Sequence, residues 1–196
     1  MKTSELAVVR PGERRIPRAL GGLPVLDGAS EGLIDHRRLV VVGSHRDLSA
    51  VLTRLLRADR LDIEVAHVQR PWQARQAFRV GSTRVPLVRD ETGTVVTGAA
   101  YWLPQDGQPT IHGEAIVDDE PLFDGEATAV RIEPIATMPG LRAAVLSGRM
   151  RPKRWISGRA AQLGTTGALV VRDGDTASRP VRRSTFYRHT EGWLRV

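Results

Sequence analysis

Cysteine is absent from the 196 residues. That excludes disulfides, thiolate metal sites and a thiol nucleophile, and it fits a reducing cytoplasm. Long apolar runs are missing as well: nothing approaches the ~20 residues of a membrane helix, and the run at 6–9 is too short for the core of a secretory leader. Lysine is nearly absent, since 27 of the 29 basic residues are arginine. Such a bias follows from a GC-rich genome, so the net charge of +7 is a poor guide to partners by itself. Four sequence patterns are also wanting. Without G-x-G-x-x-G or G-x-x-x-x-G-K-[ST] there is no standard dinucleotide fingerprint and no Walker loop; without H-E-x-x-H or G-x-S-x-G there is no zincin helix and no nucleophile elbow.

What is present is clearest over 39–68. Leu39, Val40, Val41 and Val42 form an apolar, β-branched run, which suits a strand covered on both faces. Ser44 stands three residues before Asp47, an S-x-x-D pattern in which hydroxyl and carboxylate satisfy N–H groups of a helix's first turn. Leu48, Val51, Leu52, Leu55 and Leu56 then recur at helical spacing, with Arg54, Arg57 and Arg60 off the stripe. Ile63, Val65 and His67 alternate with polar or small residues as a second strand. The thirty residues have the length of a right-handed βαβ unit.

Such a unit aims its helix N-terminus beyond the strand's carboxyl end, where anions bind. The candidate ligand-binding residues are therefore Gly43, Ser44, His45, Arg46 and Asp47. Gly43 leaves room for close backbone approach, Ser44 and Asp47 cap the helix, and His45 and Arg46 add donors. Ser44, His45 and Asp47 are too close on one turn to form a catalytic triad. No residue is assigned as catalytic and none as a metal ligand; His112, Glu114, Asp118, Asp119 and Glu120 read as a solvated polar turn.

Flanking this unit, residues 1–35 are rich in Gly, Pro and Arg and read as a flexible or loosely docked arm. From 81 onward the pattern becomes short β-rich pieces: 85–89 and 94–97 around a turn at 90–93, then 99–103, 110–117, 127–133, 141–146, 168–172, 181–188 and 193–196. Asp124-Gly125 and Asp173-Gly174 read as tight turns. The expected organisation is α+β: an arm over 1–35, a small α/β lobe over 36–80, and a β-rich sandwich or partly closed barrel over 81–196.

Charge is segregated along the chain. Residues 90–130 carry nine acidic side chains and no Lys or Arg, whereas 142–196 carry twelve basic and three acidic. Surface pairing between neighbouring segments accounts for this. The alternative is a basic face: Arg182, Arg183, Phe186, Tyr187 and Arg188 interleave guanidinium groups with rings, as nucleic-acid surfaces do. An edge strand of a terminal hairpin, with Arg stems packed on rings, gives the same pattern.

The segment VVVGSHRDLSAVLTRLL resembles the strand, loop and helix of the diacylglycerol kinase and NAD kinase superfamily, whose hallmark is V-V-x-G-G-D-G-T-[LV]-x-x-[VA]-[LV]. Val41, Val42, Gly43, Leu48, Val51 and Leu52 match it. Asp124-Gly125-Glu126 and Asp173-Gly174-Asp175 are similar to D-G-[ED] turns of the lipid-kinase branch. Ser44, His45, Arg46 and Asp47 replace the second glycine, the aspartate, the third glycine and the threonine, so the loop gains side chains that crowd ATP phosphates. The resemblance implies an α/β lobe followed by a β-rich lobe, and a soluble cytoplasmic lipid-kinase-like protein with impaired catalysis. It would serve as a module for an anionic small molecule, a lipid headgroup or a protein partner. The alternatives are a nucleic-acid binder and an active lipid or nucleoside phosphotransferase, for which Mg-ATP would be the cofactor.

Overall fold

The structure, a computed structural model, describes residues 5–196. It divides into two units: one runs up to Val85 and resumes at Glu191–Val196, and the other is Pro86–Thr190. Among the described residues no helix is long and apolar enough to cross a membrane.

The first unit is a six-stranded, mostly parallel sheet. Its strands are Leu6–Val9 (β1), Val25–Leu26 (β2), Arg38–Val42 (β3), Glu64–Val68 (β4) and Thr83–Val85 (β5), with the late strand Trp193–Arg195 between β4 and β5. The order from β2 is β2-β1-β3-β4. Among the described residues there is one α-helix, α1, His45–Arg57. Its Leu48, Val51, Leu52 and Leu55 are buried as the apolar stripe predicts, each contributing about 1.5–3 kcal/mol of burial. After Arg38, β3 is apolar from Leu39 to Val42 because it is covered on both sides. Val40 and Val42 join Val8, Ala66 and Val68 in one cluster with Leu20, Ala74 and Ala77, while the alternate residues Leu39, Val41 and Val65 are equally buried on the other face, where α1 lies. The first cluster is roofed by two 3₁₀ segments, Arg18–Leu20 and Pro71–Phe78. Eight residues at ~2.0 Å rise span ~16 Å, so Pro71–Phe78 runs back along the length of the sheet.

Two expectations are corrected here. Residues 1–35 are not a loose arm: Ala7, Val8 and Val9 are wholly buried, and β1 pairs in parallel with both β2 and β3. The first four residues of that expectation lie outside the described residues. The run is short, but Val8 N–H reaches Pro24 O at 2.8 Å and Arg38 N–H reaches Glu5 O at 2.9 Å, partners that no local pattern reveals. The second correction concerns the C-terminus. Trp193–Arg195 does not form a hairpin with 181–188; it pairs in parallel with β4 and antiparallel with β5, so 191–196 and 83–85 belong to the first unit.

The second unit is an eleven-stranded antiparallel sheet. Its strands are Val88–Asp90 (β6), Val95–Val96 (β7), Ala100–Pro104 (β8), Ile111–Val117 (β9), Glu120–Ala127 (β10), Val130–Pro134 (β11), Leu141–Val145 (β12), Ile156–Gly158 (β13), Ala160–Arg172 (β14), Asp175–Thr176 (β15) and Val181–Arg188 (β16); Trp193–Arg195 is thus β17. The sheet forks at β14. Residues 161–165 of β14 pair with β9, residues 168–172 pair with β8, and the register to β16 shifts between Gly164 and Ala168. Gly113 makes the crossing feasible, because a Cβ there would lie 2.8 Å from Thr165 Cα. The two arms enclose one core that includes Trp102, Ile111, Ile132, Leu141 and Phe186.

Asp124-Gly125 is not a turn. It lies inside β10, with Gly125 at φ +99, and the hairpin reverses instead at Asp118, at φ +51. Asp173-Gly174 is a tight turn, both residues at positive φ, the combination a two-residue hairpin requires.

Candidate functional site

The turn from β3 into α1 sits where the strand order reverses. β1 has β2 on one side and β3 on the other, so the reversal falls between β1 and β3, and ligands of open parallel sheets bind beyond the carboxyl ends of strands at such a point. Gly43 is fixed by both of its polar groups: its N–H donates to Val68 O at 3.1 Å, and its carbonyl accepts from His67 Nε2 at 3.0 Å. A carbonyl only accepts, so His67 carries its proton on Nε2. Burial pushes the His67 imidazole below its ordinary value, against the opposing pull of the Gly43 carbonyl, and nearby His45 adds to the depression. The two rings meet edge to face with centroids 5.2 Å apart.

Ser44 caps α1 as its spacing predicts. Asp47 Oδ2 accepts from Ser44 N–H at 2.7 Å and from Ser44 Oγ at 2.7 Å, while Asp47 N–H reaches Ser44 Oγ at 3.4 Å. Gly43 makes this closure feasible, since a Cβ there would stand 2.8 Å from Asp47 Cβ. Ser44 and Asp47 are therefore one bonded pair closed over Gly43, and His45 and Arg46 are the exposed side chains of the turn. The carboxylate stands where an incoming phosphate would seek the helix N-terminus. Such a phosphate meets like charge there.

Two arginines that sequence reasoning left out border the same edge. Arg10 follows β1, whose Val9 pairs with Val41 of β3, and its Nε is buried without a hydrogen-bond partner among the described residues. Arg14 places Nη2 3.7 Å from Asp47 Oδ2; being more than half exposed, it contributes little to stability. His67 was missed as well, because its role depends on β4 lying beside β3. The one legible signal for Arg10 is its place directly after the apolar run at 6–9.

The C-terminal residues read as a basic, aromatic surface are not brought together as one. Phe186 is fully buried, with its ring 6.0 Å from that of Trp102, whose Nε1–H donates to Ser184 Oγ at 3.0 Å. The Arg89 guanidinium lies 4.7 Å from the centre of the Tyr187 ring, and Arg188 is half-buried. Arg182 and Arg183 remain exposed. Arg183 borders a shallow trough of about 430 Å³ with Glu114, Gln162 and Thr185.

The acidic turns serve the backbone. Asp173 accepts from the N–H groups of Thr97, Gly98 and Ala99 at 2.8–2.9 Å, and Asp118 accepts from those of Arg159 and Ala160 at 2.9–3.0 Å. Among the described residues no three His, Asp or Glu side chains group closely enough to hold a metal ion.

Neither a protein-family model nor a curated protein matches the chain by sequence. Its fold does match solved structures. A diacylglycerol kinase from Bacillus anthracis str. Sterne superposes with a TM-score of 0.70 at 11% identity, covering 100% of this chain and 98% of that one. An NAD kinase from Archaeoglobus fulgidus in complex with ATP gives a TM-score of 0.63 at 15% identity, over 96% and 92%. The chain thus has the two-lobe α+β fold found in both kinds of kinase.

Proposed function

We propose that this chain is an anion-binding protein built on the diacylglycerol kinase and NAD kinase fold, and that it does not transfer phosphate. The observation that carries the reading is the Asp47 carboxylate closed onto the Ser44 N–H and hydroxyl at 2.7 Å. In that position it competes with a nucleotide phosphate for the helix N-terminus and repels it at short range. Hydrogen-bond donors surround the same edge: the buried Arg10 Nε without a partner, Arg14, and the exposed side chains of Arg46 and His45. An anionic group lodged among them, whether a small molecule or a lipid headgroup, would supply the acceptor that Arg10 Nε lacks; Arg10 Nη1 already donates to Arg14 O at 3.4 Å. Without the glycine-lined approach to the triphosphate, the chain serves as a binding module.

Thermal unfolding and phosphate transfer test this together, since a ligand that binds only the folded state raises its stability. Inorganic phosphate should raise the melting temperature, and Arg46→Glu should remove the rise. Labelled γ-phosphate from Mg-ATP should reach neither a diacylglycerol nor a nucleoside acceptor. Transfer to either would make the chain an active phosphotransferase, and no response to phosphate would remove the anion site.

A further inference from the structure

The segment after β4 departs from the usual economy of a surface. Pro71–Phe78 is a 3₁₀ helix, in which residues three apart eclipse one another. Ala74 and Ala77 take the inner row and are buried against the sheet. Trp72, Arg75 and Phe78 share a second row, which faces water: Trp72 is 69% exposed and Phe78 47%, and Val80 just beyond is fully exposed. Exposed apolar groups of this size, close together on one segment, mark an interaction surface.

The segment is held in place rather than loose. Gln73 Oε1 accepts from the N–H groups of Gln69 and Arg70 at 2.9 and 2.8 Å. From beneath, Arg38 donates to Ala77 O at 2.9 Å and to Arg79 O at 2.8 Å while paired with Glu64 at 2.6 Å. The rings are thus presented outward by a pinned backbone.

Charge indicates what they meet. Between Glu64 and Asp90 the chain has no acidic residue, yet it carries Arg70, Arg75, Arg79, Arg84 and Arg89. Arg70, Arg75 and Arg79 are exposed around the apolar groups, and the helix Arg18–Leu20 packed alongside adds Arg18. Trp and Phe beside arginine suit a headgroup layer, where rings enter the interface and guanidinium groups pair with phosphates. A single-stranded nucleic acid is less well served, because the Arg70 guanidinium already sits 5.1 Å from the centre of the Trp72 ring and Val80 offers nothing to stack on.

We propose that Trp72, Phe78 and Val80, ringed by Arg70, Arg75 and Arg79, form a docking surface for an anionic lipid bilayer. This surface shares no residue with the turn before α1, so it stands or falls independently of the anion site. Docking is reversible, as expected of a few shallow side chains without a covalent anchor.

The test is co-sedimentation of the full chain with vesicles of phosphatidylcholine carrying about 30% phosphatidylglycerol, against pure phosphatidylcholine. Binding should be about tenfold stronger to the anionic vesicles, with a blue shift of tryptophan fluorescence. Trp72→Ala/Phe78→Ala should lose about tenfold in binding at an unchanged melting temperature, because both rings are exposed. Arg75→Glu/Arg79→Glu should abolish the preference for anionic lipid, whereas Arg182→Glu/Arg183→Glu should leave it intact. Three results would overturn the proposal: no binding to anionic vesicles, wild-type binding by the Trp72→Ala/Phe78→Ala protein, or a lipid-free dimer that this double variant splits, which would make the face a contact between copies. Tighter capture of a single-stranded oligonucleotide, lost in the same variant, would reassign the surface to nucleic acid.

Discussion

The Nε2–H of His67 donates to the carbonyl oxygen of Gly43 across 3.0 Å, so a side chain of β4 holds the backbone of the turn that opens α1. The bond requires a proton on Nε2 and no more. A second proton on the ring would charge a half-buried group that already faces His45.

Stability should therefore depend on this imidazole in mild acid. Its folded pKa is depressed below the ordinary value, so between the two values the unfolded chain binds more protons, and stability falls as pH drops from about 6.5 toward the folded value. Above that window the contribution is complete. Melting temperatures from about pH 7.5 to 5 should show this decline, and His67→Gln, which can still donate to Gly43 O, should flatten it. Equal slopes in both proteins would assign the decline elsewhere.

Gly43→Ala should cost about 2 kcal/mol, because its new methyl displaces Asp47 and opens the cap. In an Asp47→Gly background the same change should cost measurably less, since the clash is with that side chain. Denaturant titration of the four proteins in a double-mutant cycle measures the difference.

Arg38 supports two structures at once. Arg38→Leu removes the partner of Glu64, both side chains being almost buried, and should cost about 3 kcal/mol. It should also accelerate amide hydrogen exchange in Gln76–Arg79, whose carbonyls at Ala77 and Arg79 lose their donor. Burial raises the Glu64 carboxyl, but hydrogen bonds from Arg38 and Ser82 outweigh it and hold the group below its ordinary value. The pair's stabilisation is thus present above pH about 4.5 and is lost as pH falls through the folded value.

In the second unit, Asp173→Ala leaves three N–H groups at 97–99 without their acceptor and should cost about 2 kcal/mol. Asp173→Asn should cost less, since asparagine tolerates the positive φ of 48 and keeps one accepting oxygen. Denaturant unfolding of the two variants separates the cases.

Legibility followed locality. The unit from β3 to β4 could be read because each signal, the apolar run, the S-x-x-D cap and the helical stripe, lies within a few residues of what it specifies. β1 could not, because four residues gain their meaning from β2 and β3. β14 was visible only in its second half, since the glycines and threonines at 164–167 break the alternation where the strand changes partners. Asp124-Gly125 carried the letters of a turn but adopts a strand, and the reversal went to Asp118, whose carboxylate accepts from the amides of Arg159, between β13 and β14, and of Ala160, the first residue of β14. At the candidate site, the cap was legible from spacing. His67 and Arg10 were not, because their contribution comes from neighbouring strands.

The pairing of β17 between β4 and β5 sets an order of events during synthesis. A ribosome delivers all of Pro86–Thr190 before Glu191–Val196, so the later-made unit has its whole sequence in hand while the earlier one still has a slot open in its sheet. Until Trp193–Arg195 arrives, facing edges of β4 and β5 are exposed to any passing strand. The half of the protein that is made first is therefore the half that is finished last, and the nascent chain is most open to mispairing in the interval between.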